Sequence, residues 1–239
     1  MLPLLIMMTY NKFMVYLYTA LIGAIGSFVL GITVFRKNIT NPINLLFFIF
    51  TIFLAFYNLF NHFFYGYSGD FTNGLGLRAA FFIGALLAAS GATWALALCK
   101  GYNKKITASL YAIAALISLF TILNISYFDN VAVIPRNDIM NYVGITYYAQ
   151  AIFNITLVLY AIFILIRTTF KTQGIVKEKL IYIDTGLIIF AVTSLTTDIA
   201  LPFLGINSLS YLNNITSLIF VSFSAYAMIK FKDNQGKKA

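Results

Sequence analysis

Charge, cysteine and histidine are what this chain has least of. Only 10% of its 239 residues are charged, against about 25% in a typical soluble domain. That excludes a water-soluble fold, and the 61% hydrophobic content points to lipid. One cysteine, Cys99, leaves no intramolecular disulfide, and one histidine, His62, leaves no bis-histidine haem or histidine-rich metal site within one chain. There is no H-E-x-x-H and no serine nucleophile elbow. The chain is therefore read as a non-enzyme without cofactor or metal. The apolar runs also lack the period-2 alternation that a membrane barrel needs. Backbone groups in hydrocarbon must then be satisfied within helices.

What is present is a series of apolar stretches, each near the 20 residues or so that cross a bilayer. They predict seven helices, over 13–35, 43–61, 79–99, 106–127, 142–166, 180–201 and 207–229. The expected fold is an all-α membrane protein: a seven-transmembrane helix bundle over 1–233, followed by a basic tail, 234–239. The first stretch is longer than a signal-peptide core and runs into Arg36-Lys37, which favours an uncleaved helix. The formal charge of +9 at pH 7 comes from 16 basic against 7 acidic residues. The basic residues fall in short clusters between apolar runs, so they predict topology and no nucleic-acid contact. Apart from Lys12, Arg78 and Arg136, all of them lie on one side of the predicted bundle. The positive-inside rule then puts the N-terminus outside and the C-terminus in the cytoplasm.

Polar residues inside the apolar segments carry the functional expectation. Asp184 and Asp198 share a face of the sixth helix, 14 residues or about 21 Å apart, too far to share a metal. Asp184 is expected near the cytoplasmic end, served by Lys177, Lys179 or headgroup water. Asp198 is expected near the outer end, level with Thr197, with Asn58 and His62 of the second helix, Arg78 at the start of the third, Gln150 and Asn154 of the fifth, and Asn213 of the seventh. These eight residues are the candidate ligand site: a cavity open to the outside, with Asp198 balanced by Arg78 or by a cationic ligand group. The competing reading is ordinary interhelical hydrogen bonding, at about 0.6 kcal/mol per bond. Small residues at Gly23, Ser27 and Gly31, and at Gly84, Ala88 and Ala92, predict close helix packing within the bundle or a homodimer seam. Trp94 and the tyrosines near helix ends are expected as membrane-interface anchors. The four N-x-[ST] matches, at Asn38, Asn124, Asn154 and Asn214, are read as chance.

Four stretches also carry a family resemblance: Arg36-Lys37-Asn38 through Asn44-Leu45-Leu46-Phe47; Leu77-Arg78-Ala79-Ala80-Phe81; Gly174 through Gly186; and Phe220 through Asp233. In their order and spacing the chain resembles the N-terminal seven-transmembrane input region of bacterial sensor histidine kinases and related diguanylate cyclases. The ending Ala225-Tyr226-Ala227-Met228-Ile229-Lys230-Phe231 resembles the family's helical exit toward an output domain, and Asp198 stands near a place where the family often has Asn. The resemblance implies a sensor in the bacterial cell membrane that signals through its last helix. The family's output domain is missing after Lys232, so the expected partner is a separate cytoplasmic kinase, cyclase or regulator. The alternative is a small transporter or channel using Asp198 for cation or proton coupling. A retinal protein is set aside, because no Lys lies within the seventh segment before its end.

Overall fold

A computed structural model of the chain describes residues 2–66, 71–72, 75–125, 133–134, 144–194, 196–197, 209 and 211–231. Seven helices run among these residues: α1 (Leu2–Lys37), α2 (Pro42–Gly66), α3 (Leu75–Lys100), α4 (Lys104–Ile122), α5 (Ile145–Lys171), α6 (Gly174–Ser194) and α7 (Leu212–Lys230). Local chemistry sets several of their ends. Asn41 accepts from the Ile43 N–H at 2.9 Å and Pro42 takes the first position of α2, where its missing N–H costs nothing. Asn103 caps α4 by accepting from the amides of Lys105 and Ile106. Gly101 and Gly174, with φ of 87° and 61°, end α3 and turn the chain from α5 into α6, in a conformation that side chains resist.

Six of the helices are long and apolar enough to cross a membrane: Met14–Lys37, Pro42–Phe60, Phe81–Lys100, Lys104–Ile122, Ile145–Lys171 and Leu212–Lys230. These lie within a few residues of the predicted spans. The exception is α6, whose described segment carries Lys177, Glu178, Lys179 and Asp184. It begins six residues before the predicted 180, because marking helices by apolarity alone passes over a charged opening. The outward surface fits the same medium. On α5, Ile152, Ile155, Leu159 and Phe163 form one stripe and are each more than half exposed. A patch of that kind is stable against lipid and not against water. The protein is a multi-pass membrane protein.

Helix neighbours close into a ring in the order α1, α2, α3, α5, α6, α7 and back to α1, with α4 packed outside it against α3 and α5. Close approach depends on glycine at three seams. A methyl group at Gly23 would stand 2.9 Å from the Asn214 carbonyl oxygen and from Asn58 Nδ2, one at Gly31 would overlap Thr51, and one at Gly186 would stand 2.9 Å from Phe223 Cβ. The first small-residue row therefore serves packing within the bundle. One end of the bundle carries Lys37, Lys100, Lys171 and Lys230 in the last turns of α1, α3, α5 and α7. There the Lys37 ammonium donates to the carbonyls of Met228 and Ile229, tying α1 to the end of α7. At the opposite end two connections meet in a two-residue antiparallel ladder, β1 (Phe71–Thr72) with β2 (Val133–Ile134). An all-helical reading does not anticipate that pairing, since two residues leave no periodic signal.

Candidate functional site

The helices do not fill the middle of the ring. A cavity of about 370 Å³ lies among α2, α3, α5, α6 and α7, within the range of small-molecule sites, roughly 300–1,000 Å³. Its origin is local. Gly84, Ala88, Gly91, Ala92 and Ala95 recur on one face of α3 and all line it, so above Trp94 this wall offers only Leu87 as a large side chain. The second small-residue row of the sequence is thus a cavity wall as well as a packing surface: Ala88 and Ala92 also pack with Ala114 and Leu157.

The floor, toward the basic end, is aromatic. Trp94 is 1% exposed, stacked on Phe50 at 6.0 Å between ring centroids and met edge-on by Phe220 at 6.2 Å. Phe190 stacks on Phe220 from α6. This corrects the expectation for Trp94, which is no interface anchor. Its position in the sequence, near a helix end, looks the same in either case; only the aromatic neighbours on α2 and α7 distinguish them.

The upper part of the cavity is polar. Asn58 Nδ2 donates to Ser217 Oγ at 3.2 Å, joining α2 to α7, and Ser194 Oγ donates to Asn213 Oδ1 at 3.0 Å, joining α6 to α7. Asn154 projects from α5 on the opposite wall, level with Gly84, whose added methyl would lie 3.8 Å from Asn154 Nδ2. Its Oδ1 is buried and has no partner among the described residues. The described lining carries no charged side chain. No protein-family model and no curated protein matches this chain. The site therefore has to be read from its own chemistry.

Of the eight predicted site residues, Asn58, Asn154 and Asn213 come together on the cavity. Gln150, 1% exposed, does not line it. It accepts from Thr121 Oγ1 at 3.0 Å and donates to the Phe81 carbonyl, which bolts α5 to α4 and α3. Arg78 donates to the Ile122 carbonyl at 3.0 Å, at the end of α4, and Thr197 is buried and donates to the Thr193 carbonyl at 2.9 Å. Asp198 and the His62 side chain lie outside the described residues. Asp184 is 8% exposed and accepts from Thr169 Oγ1 of α5 at 2.7 Å. The expected partners were Lys177, Lys179 or headgroup water; Thr169, a polar neighbour on α5 that sequence reading missed, serves Oδ2, and Oδ1 has no partner among the described residues. Ser194, Ser217 and the aromatic floor were also missing from the predicted site, and the signal for the floor was weak: Phe50, Trp94 and Phe220 are ordinary apolar residues until the ring brings them within contact.

Proposed function

We propose that this chain is a membrane-embedded receptor module of bacterial signal transduction, with seven crossings, its N-terminus outside and its C-terminus in the cytoplasm. One observation carries the reading: an unfilled cavity of about 370 Å³ inside the helix ring, apolar below and hydrogen-bonding above. Such a pocket suits a small, largely apolar, membrane-soluble molecule. The cavity borders α7 through Asn213, Ser217 and Phe220, and the same helix runs to Lys230 at the basic end. A ligand that fits one placement of α7 better than another shifts the balance between them. The displacement then reaches the cytoplasmic face, where a separate kinase, cyclase or regulator receives it. The resemblance to sensor-kinase input regions and the segregation of basic residues support this orientation and role.

The test uses the tagged chain in its native host, cross-linked through the lysines at and beyond Lys230, in wild type and in Ala92→Phe, which fills the cavity. A signalling protein recovered from both, in amounts that change with the filled cavity, supports the receptor. Recovery of the chain alone, together with solute flux through vesicles containing it, overturns the proposal in favour of a transporter or channel.

A further inference from the structure

Three features of the cavity bear on what occupies it. The first is its mouth. Most side chains that line it are buried or half-buried, but Val158 and Leu159 of α5 are 46% and 61% exposed. Both sit at the middle of a helix that runs Ile145–Lys171 and is apolar enough to cross the membrane. The described opening is therefore at mid-bilayer depth on α5, and it faces hydrocarbon. The described hydrogen bond between α5 and α6, Thr169 to Asp184, lies nearer the basic end.

The second feature is shape. Gly84, level with Asn154, and Trp94 are ten residues apart on α3, which separates the polar top from the aromatic floor by about 15 Å. The third is polarity. The upper hydrogen-bonding groups of α2, α6 and α7 are engaged with one another, whereas Asn154, which lines the cavity, has a buried Oδ1 with no partner among the described residues. Buried polar atoms left unpaired are rare and costly, about 1–3 kcal/mol each. With no charge in the described lining, an ionised head group would lose its hydration without compensation.

We infer that the cavity takes a single-chain, uncharged amphiphile that enters from the bilayer past Val158 and Leu159, lays its chain on the Trp94 floor and hydrogen-bonds through its hydroxyl or amide head to the Asn154 amide, which turns its oxygen into the cavity to receive it. This rests on the receptor reading for its consequence, but not for its test. A molecule already dissolved in the membrane needs no aqueous path to such a site, and the exposed α5 wall is where it would arrive.

Trp94 is the only tryptophan in the chain, so its emission reports occupancy directly. The full chain is reconstituted in bilayers of unbrominated lipid and titrated with a monoacylglycerol brominated on its chain, with the matching brominated fatty acid carrying an ionised carboxylate, and with a brominated two-chain phosphatidylcholine. The expected result is saturable quenching by the monoacylglycerol, at least tenfold weaker binding of the carboxylate, and no saturable quenching by the phospholipid. Asn154→Leu should weaken half-saturation about fivefold to tenfold, and Asn154→Thr, which keeps an acceptor oxygen, should restore most of it. Val158→Phe should slow loading. Equal quenching by the phospholipid, or equal binding of the carboxylate, overturns the assignment, as does an Asn154→Leu protein that binds like wild type. An unchanged loading rate in Val158→Phe overturns the lateral route. Failure here leaves the partner cross-linking result untouched, so loss of the ligand class and loss of the receptor reading are separate outcomes.

Discussion

The Gly186 seam makes the sharpest demand on the bundle. An alanine there places its methyl carbon 2.9 Å from Phe223 Cβ, 3.1 Å from Phe220 Cα and 3.3 Å from the Phe220 carbonyl oxygen. Two of these three atoms are backbone, so no side chain can swing aside and α6 has to move off α7. Overpacking of this kind costs about 1–3 kcal/mol, or roughly a fivefold to 150-fold change in the unfolding equilibrium. Gly84→Ala is the matched control. Its nearest atoms would be Asn154 Nδ2 and Gln150 Nε2, both at 3.8 Å, which is ordinary contact. Helix propensity alone then favours alanine, by up to about 1 kcal/mol. Both proteins would be unfolded by titrating mixed micelles with a denaturing detergent, following Trp94 emission and helical circular dichroism. The expected order of stability is Gly84→Ala at or above wild type and Gly186→Ala well below it. A Gly186→Ala protein as stable as wild type would refute the α6–α7 packing described above, and equal losses in both variants would refute the distinction between a seam and a cavity wall.

Two further outcomes follow from named contacts. Thr169→Val deletes the hydroxyl that donates to Asp184 Oδ2 at 2.7 Å and strands a buried carboxylate. A loss of about 1–3 kcal/mol is expected in the same detergent titration, largely recovered when Asp184→Leu is added to remove the carboxylate as well; no loss from Thr169→Val alone would show that the bond contributes nothing. Single cysteines placed in a Cys99→Ser background test the topology: thiols at Asn103 and Gln173 should react with an impermeant maleimide only from the cytoplasmic side, and one at Ser208 only from outside. Cytoplasmic labelling at Ser208 would mean that the chain does not cross between α5 and α7.

Hydropathy read along the chain was enough for a helical membrane protein and for six of its spans to within a few residues, because burial in lipid imposes a length and a composition that are local properties. Basic residues at the ends of α1, α3, α5 and α7 were legible for the same reason. The α6 boundary was not, since the charged run Lys177, Glu178 and Lys179 near its start does not look like a membrane helix. The candidate site was half legible. Asn58, Asn154 and Asn213 stood out because amides are costly in hydrocarbon wherever they point. Whether such a residue faces a cavity, as Asn154 does, or locks helices together, as Gln150 does, depends on neighbours brought from other segments. Lipid and protein interior are equally apolar, so periodicity cannot tell a wall that packs from a wall that stays empty. The sequence by itself determined the medium, the helices and the residues unwilling to sit in hydrocarbon. Only the closing of α1, α2, α3, α5, α6 and α7 into a ring, with α4 left outside, decided that small side chains on α3 would face space and that Trp94 would form the floor beneath it.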